Sequence, residues 1–281
     1  MKKKSIMVRL FSLHIPLFLF GFFFLFPFLW MAITAIKPDS ELYNPAQFPL
    51  LVRSPTLEHF KYVFTKMPFF FVWMRNSFIA AGLSTFISII IGSLAGYSVA
   101  RLRFPGASMI GMGIFITYLV PRTLLFLPLA YMLRSFGLAN SVISLVITYP
   151  TFLVPFCTWI LMGYFASIPK EIEECAIIDG CSRIGVFVRI VAPLSTPGIM
   201  AAGIFAFTLS WTDFIYALSF IQLDSQKTLP VGVVSQLVIG DVFLWGPLMA
   251  TALLASVPIA IIYMLLQRHF VSGLTAGAVK Y

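Results

Sequence analysis

Residues 168–193 read IPKEIEECAIIDGCSRIGVFVRIVAP, a polar stretch set between two apolar runs. Pro169 suits a first helical turn, where its missing N–H costs nothing. Glu171, Glu173 and Glu174 follow in the first turns, where the helix dipole favours negative charge. Gly180 is a natural C-terminal stop, and Ser182 can cap a second helix. In that helix Ile184, Phe187, Val188 and Val191 fall at helical spacing on one face, and Pro193 is expected to end it. The stretch is thus predicted to be a helix–turn–helix lying along a membrane face. Ala176 and Gly180 are one turn apart, with Cys175 beside Ala176, and such small residues let another backbone come close. Glu174 and Asp179 offer carboxylates to basic groups of a partner. On the residues alone, an interfacial amphipathic hairpin with no partner is an equal reading.

Outward from this stretch, apolar runs dominate. The 281-residue chain is 60% hydrophobic and 10% charged, with a mean hydropathy of +0.97. Ordinary soluble domains carry about 25% charged residues, and no soluble fold of this size hides so much apolar surface. A bilayer accommodates it in spans of roughly 20 apolar residues. Inside lipid the backbone must satisfy its own hydrogen bonds, so only helices or closed barrels remain. The runs are continuous rather than alternating, which excludes a barrel. The predicted fold is therefore all-α: a polytopic membrane protein with about six transmembrane helices in a single domain over residues 1–281. The expected spans are Leu10–Ile36, Asn76–Ala100, Ala107–Leu133, Val142–Phe165, Pro197–Ile221 and Pro247–Gln267. The run from Leu10 is long for a signal peptide and has no clear cleavage site, so it reads as a retained helix.

Lys and Arg in the flanks give the orientation. With the N-terminus cytoplasmic, Lys2, Lys3, Lys4, Arg9, Arg101, Arg103, Lys170, Arg183, Arg189, Arg268 and Lys280 lie inside. Lys37, Arg53, Lys61, Lys66, Arg75, Arg134 and Lys227 lie outside, and Arg122 falls within a span. The bias sharpens once the long first outer loop is discounted. Both termini are then cytoplasmic, residues 37–75 form an extracytoplasmic loop with a short helix near Leu57–Phe64, and residues 166–196 and 268–281 are cytoplasmic. The net charge of +9 is spread over short loops, which is the pattern of membrane orientation rather than of a nucleic-acid partner. Cys157, Cys175 and Cys181 form neither a disulfide framework nor a metal cluster.

The hairpin resembles the signature of ABC importer permeases: E-A-A, three residues, G, nine residues, then I-x-L-P. Here Glu174-Cys175-Ala176 is followed at the same spacing by Gly180 and by Ile190-Val191-Ala192-Pro193. Cys175 and Ala192 depart from the pattern and are both small or apolar. The resemblance implies a coupling helix that fits a groove on a cytosolic ATPase, with Glu174, Cys175, Ala176, Asp179, Gly180, Ile190 and Pro193 as coupling residues. It extends to the carbohydrate (maltose-type) branch through Pro55–Phe60, Arg75-Asn76-Ser77, Ala100–Gly106, Gly137–Asn140, Ser210–Leu218 and Thr228–Gly232. The end, Gly273–Lys280, resembles the family's tail that reaches the ATPase pair, which implies contacts at Gly273, Thr275, Gly277 and Lys280. The implied partners are a second, homologous permease subunit, two cytosolic ABC ATPase subunits, an extracytoplasmic solute-binding protein and the lipid bilayer. The implied location is a bacterial or archaeal cytoplasmic membrane.

No Gly-Lys dipeptide occurs anywhere, so no Walker-type phosphate loop is present. The chain is predicted to be no enzyme and to hold no cofactor, with ATP-Mg used by a partner. For a substrate path, Asp213 lies within the fifth span, where a charge is costly and points to function. Ser210, Trp211, Thr212 and Tyr216 around it supply the hydroxyls and aromatic faces that hold sugars. Asp213 equally reads as a partner for a neighbouring helix or a cap at a kink, with Trp211 simply packing. Arg122 reads as a snorkelling or paired side chain before a pathway residue. An ion-driven secondary transporter is the alternative function, although such folds show internal repeats and several midplane charges. An intramembrane enzyme would need a catalytic pair within the spans.

Overall fold

The computed structural model describes residues 10–102 and 104–278, with side chains over 12–102 and 104–267. Of the basic residues used for orientation, Lys2, Lys3, Lys4, Arg9, Arg103 and Lys280 lie outside the described residues, as does the side chain of Arg268. Among the described residues the fold is all-α apart from one short hairpin, Val238–Ile239 against Val242–Phe243. Four of the described helices are long and apolar enough to cross a membrane, or up to six spans if each of two bent pairs counts as one.

The chain resolves into two compact units, Met1–Phe70 with Val233–Val257 and Phe71–Gly232 with Pro258–Tyr281. In the first, the helix Ile15–Ile36 is the first span, and its apolar stretch is only 6% buried. Its Phe side chains point outward, as expected where lipid rather than protein supplies the apolar surroundings. The segment after it is tied to the helix end. Thr56 N–H donates to the Ile36 carbonyl at 2.7 Å, and the His59 imidazole meets the Lys37 carbonyl at 2.8 Å. These bonds satisfy helix-end carbonyls that would otherwise be orphaned, and they explain the Pro55–Phe60 motif. Glu41 accepts from the N–H groups of Arg53 and Ser54 at 3.0 and 2.9 Å. The short helix anticipated near Leu57–Phe64 spans Glu58–Lys66.

In the second unit the core gathers around the helices Val142–Thr148 and Pro150–Ala166, with Leu145, Tyr149, Leu153, Cys157, Leu161 and Phe165 buried. The second span, Phe70–Arg101, is longer than expected, and Arg75, expected in the preceding loop, lies inside it. No proline occurs between Phe69 and Arg101. Its 32 residues extend about 48 Å at 1.5 Å each, beyond a hydrocarbon core of about 30 Å. Gly92 and Gly96 let it lie directly on the backbone of Cys157, Thr158 and Met162, the small-residue contact by which helices approach in lipid.

Two expected spans are not single helices. The third, Ala107–Leu133, is Ala107–Leu119 and Arg122–Ser135, bent by 91°. Val120 precedes Pro121 and is extended, at φ −66° and ψ 125°, because a proline disfavours helical geometry in the residue before it. The fifth, Pro197–Ile221, is Thr196–Trp211 and Ile215–Phe220, separated by Thr212–Phe214.

Candidate functional site

The hairpin forms as its residues require up to its second half. Its first helix is Lys170–Ile178, capped by Pro169 rather than containing it. It ends at Gly180, φ +87°, where Gly180 N–H donates to Ile177 and Cys181 N–H to Ala176, both at 3.0 Å. These paired bonds need a left-handed residue, which glycine supplies without a Cβ penalty. Ser182 Oγ accepts from Gly185 N–H at 3.1 Å.

The second half departs from expectation. Pro193 does not end the helix, which runs on to Leu194 and turns by 77° at Ser195. Residues Phe187–Val191 form a π-turn, and Ala192 N–H reaches back to Phe187. Pro193 offers no N–H to the Arg189 carbonyl, so a widened turn accommodates the mismatch. Val186, Phe187 and Val191 are buried, while Ile184 and Val188 are 77% and 57% exposed. The apolar face drawn from regular spacing is thus split between core and surface.

Of the residues singled out on the hairpin, Glu174, Cys175, Asp179, Gly180 and Pro193 are exposed, and Ile190 is half-buried. Ala176 is buried in the chain's own core, so the outward face is built from its neighbours. Ile177, Ile178 and Ile184 stand on that exposed face. One acid the motif does not contain is engaged inward. Glu173 accepts from Arg101 Nε at 2.6 Å and from Tyr97 O–H at 2.9 Å. Arg101 also donates to the Ile168 carbonyl at 2.5 Å. The Arg101 and Glu173 side chains are only 4% and 12% exposed. Breaking such a pair by removing one partner costs about 3–5 kcal/mol, since a buried charge is left alone. Sequence spacing holds one hint of this cluster: Tyr97 and Arg101 are one turn apart on the second span.

A second constellation forms beside two helix interruptions, at Val120–Pro121 and at Thr212–Phe214, and against Tyr149, which lies within the continuous span Val142–Ala166. Asp213 Oδ2 accepts from Tyr149 O–H at 3.1 Å and from Ala217 N–H at 3.3 Å, capping the short helix after the break. Tyr216 O–H donates to the Arg122 carbonyl at 3.2 Å. The Arg122 guanidinium lies 4.7 Å from the centre of the Phe152 ring, a cation–π distance. Tyr149, Phe152 and Tyr216 form an aromatic trio with centroids 5.6–6.4 Å apart. Irregular backbone within a membrane is tolerated only where protein buries it or where it lines a cavity.

The proposed path residues therefore divide. Asp213 and Tyr216 share this cluster. Ser210 and Trp211 are buried against the second span, with Ser84 Oγ 3.5 Å from Ser210 Oγ and Phe78 stacked edge-on to Trp211 at 4.7 Å. Thr212 is exposed and donates back to Thr208. Tyr149 and Phe152, which sequence reasoning did not select, complete the site, and Pro150 beside Tyr149 is the signal that marked it. Gly273, Thr275 and Gly277 lie in the helix Trp245–Ala278, with side chains outside the described residues, and Lys280 lies wholly outside them.

Known proteins carry the same design. The profile of the family described as "Binding-protein-dependent transport system inner membrane component" matches residues 88–276. The sulfoquinovosyl glycerol transport system permease protein SmoH of Agrobacterium fabrum is 39% identical over 91% of this chain and 89% of its own length. The trehalose/maltose transport system permease protein MalG of Thermococcus litoralis is 34% identical over 91% of each. In fold, the chain is similar to a solved bacterial ABC transporter involved in import of the acidic polysaccharide alginate, with a TM-score of 0.78 at 17% identity, covering 96% of this chain and 100% of that one. The hairpin spacing, the broken spans and these likenesses converge: the chain belongs to the binding-protein-dependent transport system inner membrane components, the permease family of sugar ABC importers.

Proposed function

We propose that this chain is one half of the membrane channel of an ATP-driven importer that moves a sugar or sugar derivative across the cytoplasmic membrane by alternating access. The hairpin carries the reading. It presents Glu174, Ile178, Asp179 and Ile184 outward on a sharply fixed turn, a surface suited to a groove on a cytosolic ATPase. Two such ATPases, binding and hydrolysing ATP-Mg, drive the cycle. A second, homologous permease chain completes the channel, and a soluble binding protein delivers substrate to the outer face. Both termini and the hairpin are cytoplasmic, and the tail bearing Gly273, Thr275, Gly277 and Lys280 reaches the ATPase pair. The names of the relatives, which include permeases for sulfoquinovosyl glycerol and trehalose/maltose, support a saccharide cargo.

The Asp213 cluster is the section of the path that this chain contributes. The half-buried Asp213 carboxylate is the group that accepts from sugar hydroxyls, held in place by the buried Tyr149. Uptake of a panel of labelled sugars, in cells with and without the chain and with and without the ATPase gene, tests the function. Uptake of a sugar that needs both is expected; uptake that survives loss of the ATPase overturns the reading. The Asp213→Ala variant is expected to lose uptake while still assembling, and normal transport removes Asp213 from the path.

A further inference from the structure

The end of the second span is held in the crook of the hairpin. The Tyr97 ring packs on Phe165, which precedes the hairpin, at 6.1 Å, and on Phe187 in its second half at 4.9 Å. Its hydroxyl and the Arg101 guanidinium both engage Glu173, and Arg101 also holds the Ile168 carbonyl at the hairpin's entry. Lys170, Glu174 and Arg183 line the polar cleft beside this cluster. The hairpin therefore has one charged, buried attachment to a full-length span, separate from its outward face. Both oxygens of the Glu173 carboxylate are held, Oε1 by Arg101 Nε and Oε2 by Tyr97 O–H, so its orientation as well as its position is fixed. The second span in turn packs through Gly92 and Gly96 directly on the helix Pro150–Ala166 in the core.

We propose that Glu173, Arg101 and Tyr97 form a strut that couples movement of the hairpin to movement of the second span. Glu173 and Arg101 are positioning residues: they need not touch ATPase or cargo, and they act by making hairpin and span one rigid piece. The proposal rests on the hairpin being the ATPase-docking element.

The test is hydrogen–deuterium exchange on the full transporter complex in nanodiscs, with and without trapping by ATP and vanadate. In the unaltered complex, trapping is expected to change exchange both in hairpin peptides and in peptides from residues 70–101. In Glu173→Gln the hairpin response is expected to remain and the 70–101 response to be lost, with partial restoration of that response in Arg101→Lys relative to Arg101→Ala. A residue with a merely structural role would diminish both responses together. Tyr97→Phe removes one hydroxyl only; it keeps the question answerable if Glu173→Gln does not assemble, and it is expected to weaken the 70–101 response selectively. An undiminished 70–101 response in these variants overturns the strut. Absence of any hairpin response in the unaltered complex instead overturns the docking reading on which it rests.

Discussion

At the scale of single residues, two positions decide local geometry in a way that experiment can reach. Gly180 adopts φ +87°, a conformation that costs an L-residue roughly 1–2 kcal/mol. Gly180→Ala is expected to destabilise the turn by about that amount and to reduce co-purification of ATPase subunits. Pull-down from membranes measures it, and unchanged recovery would show that the turn tolerates a side chain. Glu41 is the second case. Backbone N–H groups of Arg53 and then Ser54, helped by Lys37, hold its carboxyl below the ordinary value of 4.5, against the opposing effect of burial. A depressed pKa means that the ionised form stabilises the fold. That stability is present in full above the ordinary value and is lost as pH falls through the lowered one. Residues 50–56 are therefore expected to become protease-sensitive only in acid below about pH 4.5, and Glu41→Gln to show the same sensitivity at neutral pH. Limited proteolysis across a pH series reads both.

At the scale of elements, the contact of the second span with the helix Pro150–Ala166 depends on the absence of side chains at two positions. A Cβ at Gly92 would meet Cys157 Cβ at 2.7 Å, and one at Gly96 would meet backbone at 3.1 Å. Gly92→Val is expected to lower stability by about 1–3 kcal/mol, the usual cost of overpacking. Gly163→Val, on a surface with nothing within 4 Å of the added Cβ, is expected to cost no more than its backbone entropy and β-branching dictate. Thermal unfolding of the two variants in one detergent compares them, and equal shifts would contradict the close packing. The interruptions are a different matter. Pro121 is visible in the sequence and Thr212–Phe214 contains no proline, yet the expected spans pass through both, so hydropathy joined what backbone geometry separates. Hydropathy measures partition into lipid, which a bent segment shares with a straight one.

At the scale of the whole molecule, the distribution of basic loops predicts that the hairpin lies in the cytoplasm. Alkaline phosphatase fused after Pro49 is expected to be active, and the same reporter fused after Ser182 inactive. The opposite pattern would put the hairpin on the wrong side for any cytosolic ATPase and would sink the coupling mechanism.

The membrane class, the approximate positions of the spans and the hairpin's first turn were all determined by local features: apolar run length, a proline, a glycine and a serine at fixed spacing. Local energetics suffices there, because each of those choices is made within a few residues along the chain. The pairing of Glu173 with Arg101, the bond of Tyr149 to Asp213, the seating of Arg122 on Phe152, and the burial of Val186 and Phe187 were decided only by the tertiary structure. The paired residues lie tens of residues apart, and regular spacing does not say which side of the hairpin's second helix meets the core. Which of several nearby acids is buried and paired depends on where one helix crosses another, and no stretch of sequence read alone holds that geometry.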